Sequence, residues 1–280
     1  MIKMLILALF FVACGSDDTS NVEHLNFQKD SKSVRFGANM TYHGGPVMHT
    51  VATASIFWGA EWSNSNFAGD KITGLDSFFS GAIGSRYGST GSEYGDMTGN
   101  TGNVASYQGH TFDPKAAPTK ALTSLTAVAE VCAITGNAPN PSTVYFIYTS
   151  TPAGVVNYCA WHSWGKCSNG APVLVAYMPN VDSVAGCSAN DLISGHSKGL
   201  AALANVTAHE LLETMTDPVG SAWYDSSGNE NGDKCAWSFP PTLSTFTNGS
   251  KWKLQMEWSN AAFTAGTGLP NGSGQKGCIY

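Results

Sequence analysis

Residues 200–216 read Leu-Ala-Ala-Leu-Ala-Asn-Val-Thr-Ala-His-Glu-Leu-Leu-Glu-Thr-Met-Thr. This stretch predicts a helix, and Asp217-Pro218 ends it, because a proline disfavours helical geometry in the residue before it. His209 and Glu213 stand four residues apart, so on a helix they project from one face, about 40° apart and one turn along the axis. The helix carries the sharpest chemical signal in the chain.

The pattern His209-Glu210-x-x-Glu213 predicts two ligands for a divalent metal ion, because side chains one helical turn apart can converge on one point. Glu210, beside the first ligand, is then placed to take a proton from water at the metal. Zinc peptidases use a His-Glu-x-x-His helix in this way, and here Glu213 stands in place of the second histidine. The same residues also fit a solvated acidic face of a helix.

A third zinc ligand is expected from the loop at residues 223–235, which is rich in glycine, asparagine and acidic residues. Glu230 and Asp233 are the candidates, and Cys235 can pin this loop by a disulfide. Asp217 is expected to cap the helix end or to support a ligand, in preference to binding the metal itself. Calcium is the competing metal, because the loop offers several oxygen donors. They are Asp225, Ser227, Asn229, Glu230 and Asp233.

His162 is the second catalytic candidate, as a metal ligand or as a hydrogen-bond donor to a transition state. Cysteines at 159 and 167 flank it and can hold it rigidly, although a histidine that is merely hydrogen-bonded in a disulfide loop fits as well. His43 is the next candidate. Residues 195–199, Gly-His-Ser-Lys-Gly, have the letters of a serine nucleophile elbow, but no strand-like run leads into them.

The fold class expected is α/β or α+β, with a single domain over residues 38–280 in which a small mixed sheet packs with helices in a zincin-like way. Apolar runs and alternation predict the strands, and apolar spacing predicts the helices. Residues 85–114 are rich in glycine, serine and tyrosine and are expected to form a long surface excursion. The predicted strands are 47–58, 143–148, 172–177 and 251–258, and the predicted helices are 72–83, 120–135 and 200–216.

The first residues predict export. Lys3 precedes the apolar run Met4–Ala13, which has the shape of a secretory signal and is too short to span a bilayer. The end of the run, Phe-Val-Ala-Cys14, resembles the lipobox of bacterial lipoproteins. Residues 1–13 are therefore expected to be a signal peptide, Cys14 to be lipidated, and residues 14–37 to be a tether. An ordinary cleaved signal is the alternative. The location expected is the bacterial outer membrane or cell surface, with membrane contact through the lipid only.

The composition bears on two questions: whether the protein binds nucleic acid, and whether its cysteines form disulfides. Only 12% of the 280 residues are charged, the net charge is −6 and no basic run exists, so nucleic acid is not an expected partner. Apart from Cys14, six cysteines remain, and an even number in an exported chain predicts disulfides. Cys235 is expected to pair with Cys278, and Cys159 with Cys167 or Cys187. A zinc site of four cysteines is the alternative, but no Cys-x-x-Cys pair is present.

Residues 40–48, Met-Thr-Tyr-His-Gly-Gly-Pro-Val-Met, and residues 56–59, Ile-Phe-Trp-Gly, resemble the start of the phosphate-induced protein (EXORDIUM-like) family, exported proteins best known from plant cell walls. The segment 159–167 is similar to that family's central cysteine loop. Residues 209–235 and 257–261 resemble a widespread set of bacterial secreted proteins with the His-Glu-x-x-Glu…Thr-Asp-Pro motif. The resemblance covers most of residues 40–278 and implies export and a wall or surface role. The metal site is read from the residues themselves.

Two functions follow from these observations. The first is a metal-dependent hydrolase, in particular a zincin-like zinc peptidase with Glu210 as general base. The second is a non-catalytic surface protein of EXORDIUM-like type, whose acidic residues hold a structural ion and whose aromatic residues bind a glycan or protein partner. Glu210 favours the first, because a purely structural site needs no base beside it.

Overall fold

A five-stranded mixed sheet forms the centre of the computed structural model, which describes residues 39–280. The predicted signal peptide, the predicted lipidation at Cys14 and the predicted tether lie outside the described residues. In chain order the strands are β1 (Thr41–Tyr42), β2 (Val51–Trp58), β3 (Gly95–Asp96), β4 (Gly99–Asn100), β5 (Val104–Asp113), β6 (Thr143–Thr149), β7 (Trp161–Lys166), β8 (Pro172–Met178), β9 (Trp223–Tyr224), β10 (Ser244–Thr245), β11 (Lys251–Trp252), β12 (Glu257–Trp258), β13 (Leu269–Pro270) and β14 (Lys276–Ile279). The helices are α1 (Ser65–Ala68), α2 (Lys71–Ala82), α3 (Ser124–Ile134), α4 (Lys198–Thr216) and α5 (Asn260–Thr264).

The central sheet has the strand order β5-β2-β6-β8-β7. Its first four strands are parallel, and β7 runs antiparallel to β8 at one edge. The inner strands β2, β6 and β8 are nearly continuous apolar runs, as expected of parallel strands that are covered on both faces. The molecule is thus of mixed α/β class, and its architecture is consistent with α+β.

Helices cover both faces of this sheet. On one face, Phe79 of α2 and Leu203 and Leu212 of α4 pack against sheet residues in one hydrophobic cluster. On the other face, Val128 and Val131 of α3 belong to a second cluster. The helix α4 is buried along its length from Leu200 to Thr216, so its polar residues point into the protein and not into solvent. This burial excludes the interpretation of the His-Glu-x-x-Glu pattern as a solvated helix face.

Two sequence expectations about the strands are wrong. Residues 85–114 are not a surface excursion throughout, because β5 occupies their end as a ten-residue edge strand. Most of its side chains are polar and partly or fully exposed, which hides the strand from a search for buried runs. Residues 251–258 do not form one strand either. They divide into β11, which pairs with β10, and β12, which pairs with β14.

The residues 195–199 do not form a nucleophile elbow. Ser197 is the N-cap of α4, where its hydroxyl oxygen accepts a hydrogen bond from the backbone N–H of Leu200 at 3.1 Å. The same hydroxyl donates to the carboxylate of Asp70. A serine hydroxyl in this position satisfies one of the free N–H groups at the helix start, which is a structural role.

Three disulfides join the six cysteines of the described part. Cys235 pairs with Cys278, the pair expected from the sequence. Cys159 pairs with Cys187, one of its two expected partners, and Cys167 then pairs with Cys132. These disulfides fit an extracellular protein, because such bonds persist in oxidising compartments. Within residues 39–280, no helix is both long enough and apolar enough to cross a membrane.

Candidate metal centre

Six side chains with metal-binding atoms meet between α4, β7 and the turn that precedes Cys235. We call them the centre; they are His162, His209, Glu210, Glu213, Glu230 and Asp233. Five of them are buried, with at most 2% of the residue exposed. Asp233 differs, since 22% of its side chain is exposed. The centre is therefore almost closed to solvent and is dominated by carboxylates.

His209, Glu213 and Asp233 form the first group. The Nε2 atom of His209 lies 2.8 Å from Oε1 of Glu213 and 3.8 Å from Oδ1 of Asp233. One donor atom from each residue falls within 4.8 Å of the other two. Two ligands of a tetrahedral zinc ion at ~2.0–2.2 Å lie ~3.3–3.6 Å apart. The two distances from His209 differ from this separation by about 0.5 Å or less, so Glu213 and Asp233 can each share an ion with His209 after small shifts.

His162, Glu210 and Glu213 form the second group, and all three are buried. His162 Nδ1 lies 3.1 Å from Oε2 of Glu210 and 3.7 Å from Oε2 of Glu213. Its other ring nitrogen, Nε2, lies 3.7 Å from Oε2 of Glu230. The structure therefore places Asp233 beside His209 and Glu230 beside His162, so the two candidates for the third ligand separate onto different groups.

The strand β7 explains the position of His162. Side chains alternate between the faces of a strand, so Trp161 enters the cluster on the α3 side and His162 points to the α4 side. This strand was not predicted from the sequence, because it is short and carries polar residues. The strand β7 pairs with β8 so that His162 lies opposite Ala176. This register determines which part of α4 the His162 ring faces.

The turn at residues 230–233 is tied to the helix by hydrogen bonds. The hydroxyl of Thr216 donates to Oδ1 of Asn231 at 3.1 Å, and the backbone N–H of Asp233 donates to Oε1 of Glu213 at 3.0 Å. Gly232 makes this approach possible, because a β-carbon there would stand 2.7 Å from Nδ1 of His209. The disulfide from Cys235 then anchors the turn at its far end.

Gln255 holds the outer side of the His209 ring. Its side-chain amide contacts Nδ1 of His209, which leaves Nε2 directed at Glu213 and Asp233. The backbone N–H of Gln255 donates to Oδ1 of Asn205, one turn before His209 on α4, at 2.8 Å. A partner on the remote nitrogen fixes the orientation and tautomer of a ligating histidine.

Glu257 is a further buried carboxyl beside the centre, and no role was predicted for it from the sequence. Tyr87 donates to its Oε1 at 2.8 Å. Burial raises the pKa of Glu257 well above its usual value, and the charges of Glu213 and Asp233 raise it further. In the stretch 251–258, polar residues alternate with apolar ones, so Gln255 and Glu257 lie on the same side of the chain. This alternation is the sequence pattern that places the two side chains together.

Burial also lowers the pKa of the His209 imidazole, against the opposite influence of Glu210 and Asp233. A neutral imidazole has a lone pair free for a metal ion, so this shift suits a ligand. The region also contains a buried lysine, Lys234, on which the charge of Asp233 acts. Its Nζ atom pairs with Asp225 at 3.0 Å.

Other expected site residues have structural contacts. The Oδ1 atom of Asp217 accepts hydrogen bonds from the backbone N–H groups of Ser221 and Ala222, which fits the expected capping role at the helix end. The Oδ1 atom of Asp225 accepts from the N–H groups of Ser227 and Asn229. The first oxygen donor of the calcium alternative is thus engaged by its own loop and by Lys234.

The remaining histidines of the described residues lie in other contacts. His43 is exposed and stacks on Tyr224 with ring centroids 3.6 Å apart. His49 contacts Asp96, His110 contacts Asp76, and His196 stacks on Trp252.

Comparison of the chain with protein-family models, with curated proteins and with solved structures gave no match. Function is therefore inferred from the centre and its surroundings.

Proposed function

We propose that this protein is an exported metal-dependent hydrolase that binds zinc through His209, Glu213 and Asp233. The observation that carries the proposal is the convergence of these three side chains, with donor atoms within 4.8 Å of one another, on the helix that also presents Glu210. Histidine nitrogens and carboxylate oxygens are both zinc ligands, and a catalytic zinc site takes three protein ligands and keeps a fourth position open. The two histidines at the centre favour zinc over calcium, which prefers oxygen ligands alone.

A bound zinc ion would supply Lewis-acid chemistry, polarising a substrate carbonyl and lowering the pKa of adjacent water to about 7. Glu210, next to His209 in the chain, is the residue that accepts the proton from this water. His162 lies 3.1 Å from Glu210 and orients its carboxylate. A ring N–H of His162 can also donate a hydrogen bond to the negative charge that develops on the substrate.

Peptides are the substrate class that we favour, which makes the enzyme a zincin-like peptidase. The centre lies beside β7, the antiparallel edge strand of the central sheet. An extended peptide can add to a sheet edge through main-chain hydrogen bonds. The exposed side chain of Lys166 and the partly exposed Gly165 mark the accessible end of this strand.

The alternative is a non-catalytic surface protein with a structural ion, as the EXORDIUM-like resemblance implies. One observation favours it. Five of the six residues of the centre are at most 2% exposed, and a hydrolase must admit its substrate. In this alternative the ion stabilises the packing of the turn 230–233 on α4, and exposed aromatic residues such as Trp164 contact a glycan or a protein.

The experiment that separates the two combines metal analysis with hydrolysis of a mixture of fluorescence-quenched peptides. We expect zinc in the purified protein, cleavage that a chelator abolishes, and loss of cleavage but not of zinc in Glu210→Gln. Glu93→Gln, at an exposed carboxylate away from the centre, is the matched control. Zinc without cleavage in wild type, together with a large loss of thermal stability on chelation, would establish the structural alternative.

A further inference from the structure

We propose that the centre holds a second divalent cation, bound by His162, Glu210 and the Oε2 atom of Glu213. The site is distinct from the group of His209, Glu213 and Asp233, and it shares only the carboxylate of Glu213. Since that carboxylate offers Oε1 to one group and Oε2 to the other, it becomes a bridge between two ions.

The distances support a ligand set. His162 Nδ1 stands 3.1 Å from Glu210 and 3.7 Å from Glu213, and a zinc ion at ~2.0–2.2 Å from two ligands separates them by ~3.3–3.6 Å. The three donor atoms lie within 4.8 Å of one another, and all three residues are buried. Small movements around the present positions are sufficient to admit an ion.

The burial of His162 supports its role as a ligand. The residue is 2% exposed, and its Nδ1 atom faces the carboxylates of Glu210 and Glu213. The other ring nitrogen, Nε2, has no hydrogen-bond partner among residues 39–280 and lies 3.7 Å from Oε2 of Glu230. A small rotation that brings Nε2 within hydrogen-bond distance of Glu230 would fix the ring with Nδ1 directed at the ion.

The charge of the centre suits two ions. Glu210, Glu213, Glu230 and Asp233 lie close together around His162 and His209. One divalent ion carries half as much charge as four carboxylates, and two ions carry as much.

A consequence follows that rests on the proposed function. An ion in the second site takes the Glu210 carboxylate as a ligand, so Glu210 can no longer accept a proton. The enzyme is then active with one ion and inhibited with two. Hydrolysis should rise as the first equivalent of zinc is added and fall about tenfold or more as the second site fills.

Metal stoichiometry tests the second site without any assay of hydrolysis. Metal-free protein is titrated with Zn²⁺ and analysed by elemental mass spectrometry, and Mn²⁺ is titrated with detection by electron paramagnetic resonance. We expect two ions per chain in wild type, with Mn²⁺ spectra that show coupling between the two ions. His162→Ala and His162→Gln should each retain one ion with an uncoupled spectrum. His49→Ala, at an exposed histidine elsewhere, should retain two.

The outcomes distinguish this inference from the proposed function. One ion per chain in wild type, lost in His209→Ala and retained in both His162 variants, would overturn the second site and leave the first intact. Two ions per chain in His162→Gln would also overturn it. Two ions in wild type without hydrolysis of any peptide would support the second site while the proposed function fails. Circular dichroism of the His162 variants checks that loss of an ion does not reflect unfolding.

Discussion

Gly232 lies against the imidazole ring of His209, so close that a β-carbon at Gly232 would stand 2.7 Å from Nδ1 and 2.9 Å from Oε1 of Glu213. The backbone of the turn thus forms one wall of the first metal group. The absence of a side chain is what allows Asp233, the next residue, to reach the ligands on α4.

Gly232→Ala should therefore weaken metal binding. The added methyl group pushes the turn away from His209 and Glu213 and removes Asp233 from the ligand set. Loss of a correctly placed ligand environment typically costs 10–100-fold in affinity, and we expect a drop of at least about tenfold. Calorimetric titration with Zn²⁺ measures it. Gly272→Ala, where no atom lies within 4 Å of the new β-carbon, should bind like wild type.

Gln255→Ala should lower zinc affinity about 10–100-fold, because the remote nitrogen of His209 loses the partner that orients the ring. The folded state should persist, since the backbone N–H of residue 255 that donates to Asn205 is still present in alanine. Competition with a chromogenic chelator gives the affinity. Gln108→Ala, at an exposed glutamine on β5, is the control, and equal affinities for the two variants would refute the positioning role.

Individual residues show which parts of the fold and of the centre can be predicted from the sequence. The helix at 200–216 and its end at Asp217-Pro218 were predicted because the pattern is local. The helix begins at Lys198, and its N-cap Ser197 was not predicted. The pairing of His209 with Glu213 follows from helical geometry alone. The approach of Asp233 in preference to Glu230 depends on how the turn packs against α4, and no local pattern contains that information.

The position of His162 also could not be predicted from local sequence patterns. Its chemistry could be suspected from the sequence, but its contact with Glu210 requires the register of β7 with β8 and the packing of α4 over both. The strand β5 was missed because an edge strand need not bury either of its faces. Gln255 and Glu257 were missed because they reach the centre through long-range packing of the C-terminal segment.

Removing the disulfide between Cys235 and Cys278 should affect both stability and metal binding. The double variant Cys235→Ser with Cys278→Ser loses a cross-link typically worth about 2–4 kcal/mol, and the turn that carries Asp233 loses its anchor. Thermal unfolding and zinc titration measure the two effects. Replacing Cys132 and Cys167, which join α3 to the end of β7, should lower stability without a comparable loss at the His209 group.

A carboxyl pair away from the centre should make stability depend on pH. Burial, together with the neighbouring Asp113, raises the pKa of Glu130 on α3 to about 7. The folded state therefore keeps a proton that the unfolded chain releases at lower pH, so the free energy of unfolding falls as the pH rises from about 4.5 to about 7. Glu130→Gln should remove this slope and stabilise the protein at neutral pH by up to ~3 kcal/mol. Urea unfolding across this pH range tests it, and an unchanged slope would contradict it.

The lipid anchor predicted from the sequence can be tested in cells. Cys14→Ala should move the protein from the membrane fraction to the soluble exported fraction, because the thioether-linked lipid can no longer form. Fractionation followed by immunoblotting measures the shift. A variant that still sediments with membranes would exclude lipidation at Cys14 as the anchor.

Asp233 is the one member of the centre with a side chain that reaches solvent, and this makes it the point of entry. We expect an ion arriving from solution to meet this carboxylate first and to reach the buried ligands when the turn 230–233 opens. The affinity for the metal ion and the rate at which the ion exchanges with solution are then separate properties. The ligands determine the affinity, and local opening of the turn determines the rate. The protein should release its metal to a strong chelator slowly, at a rate that does not depend on chelator concentration.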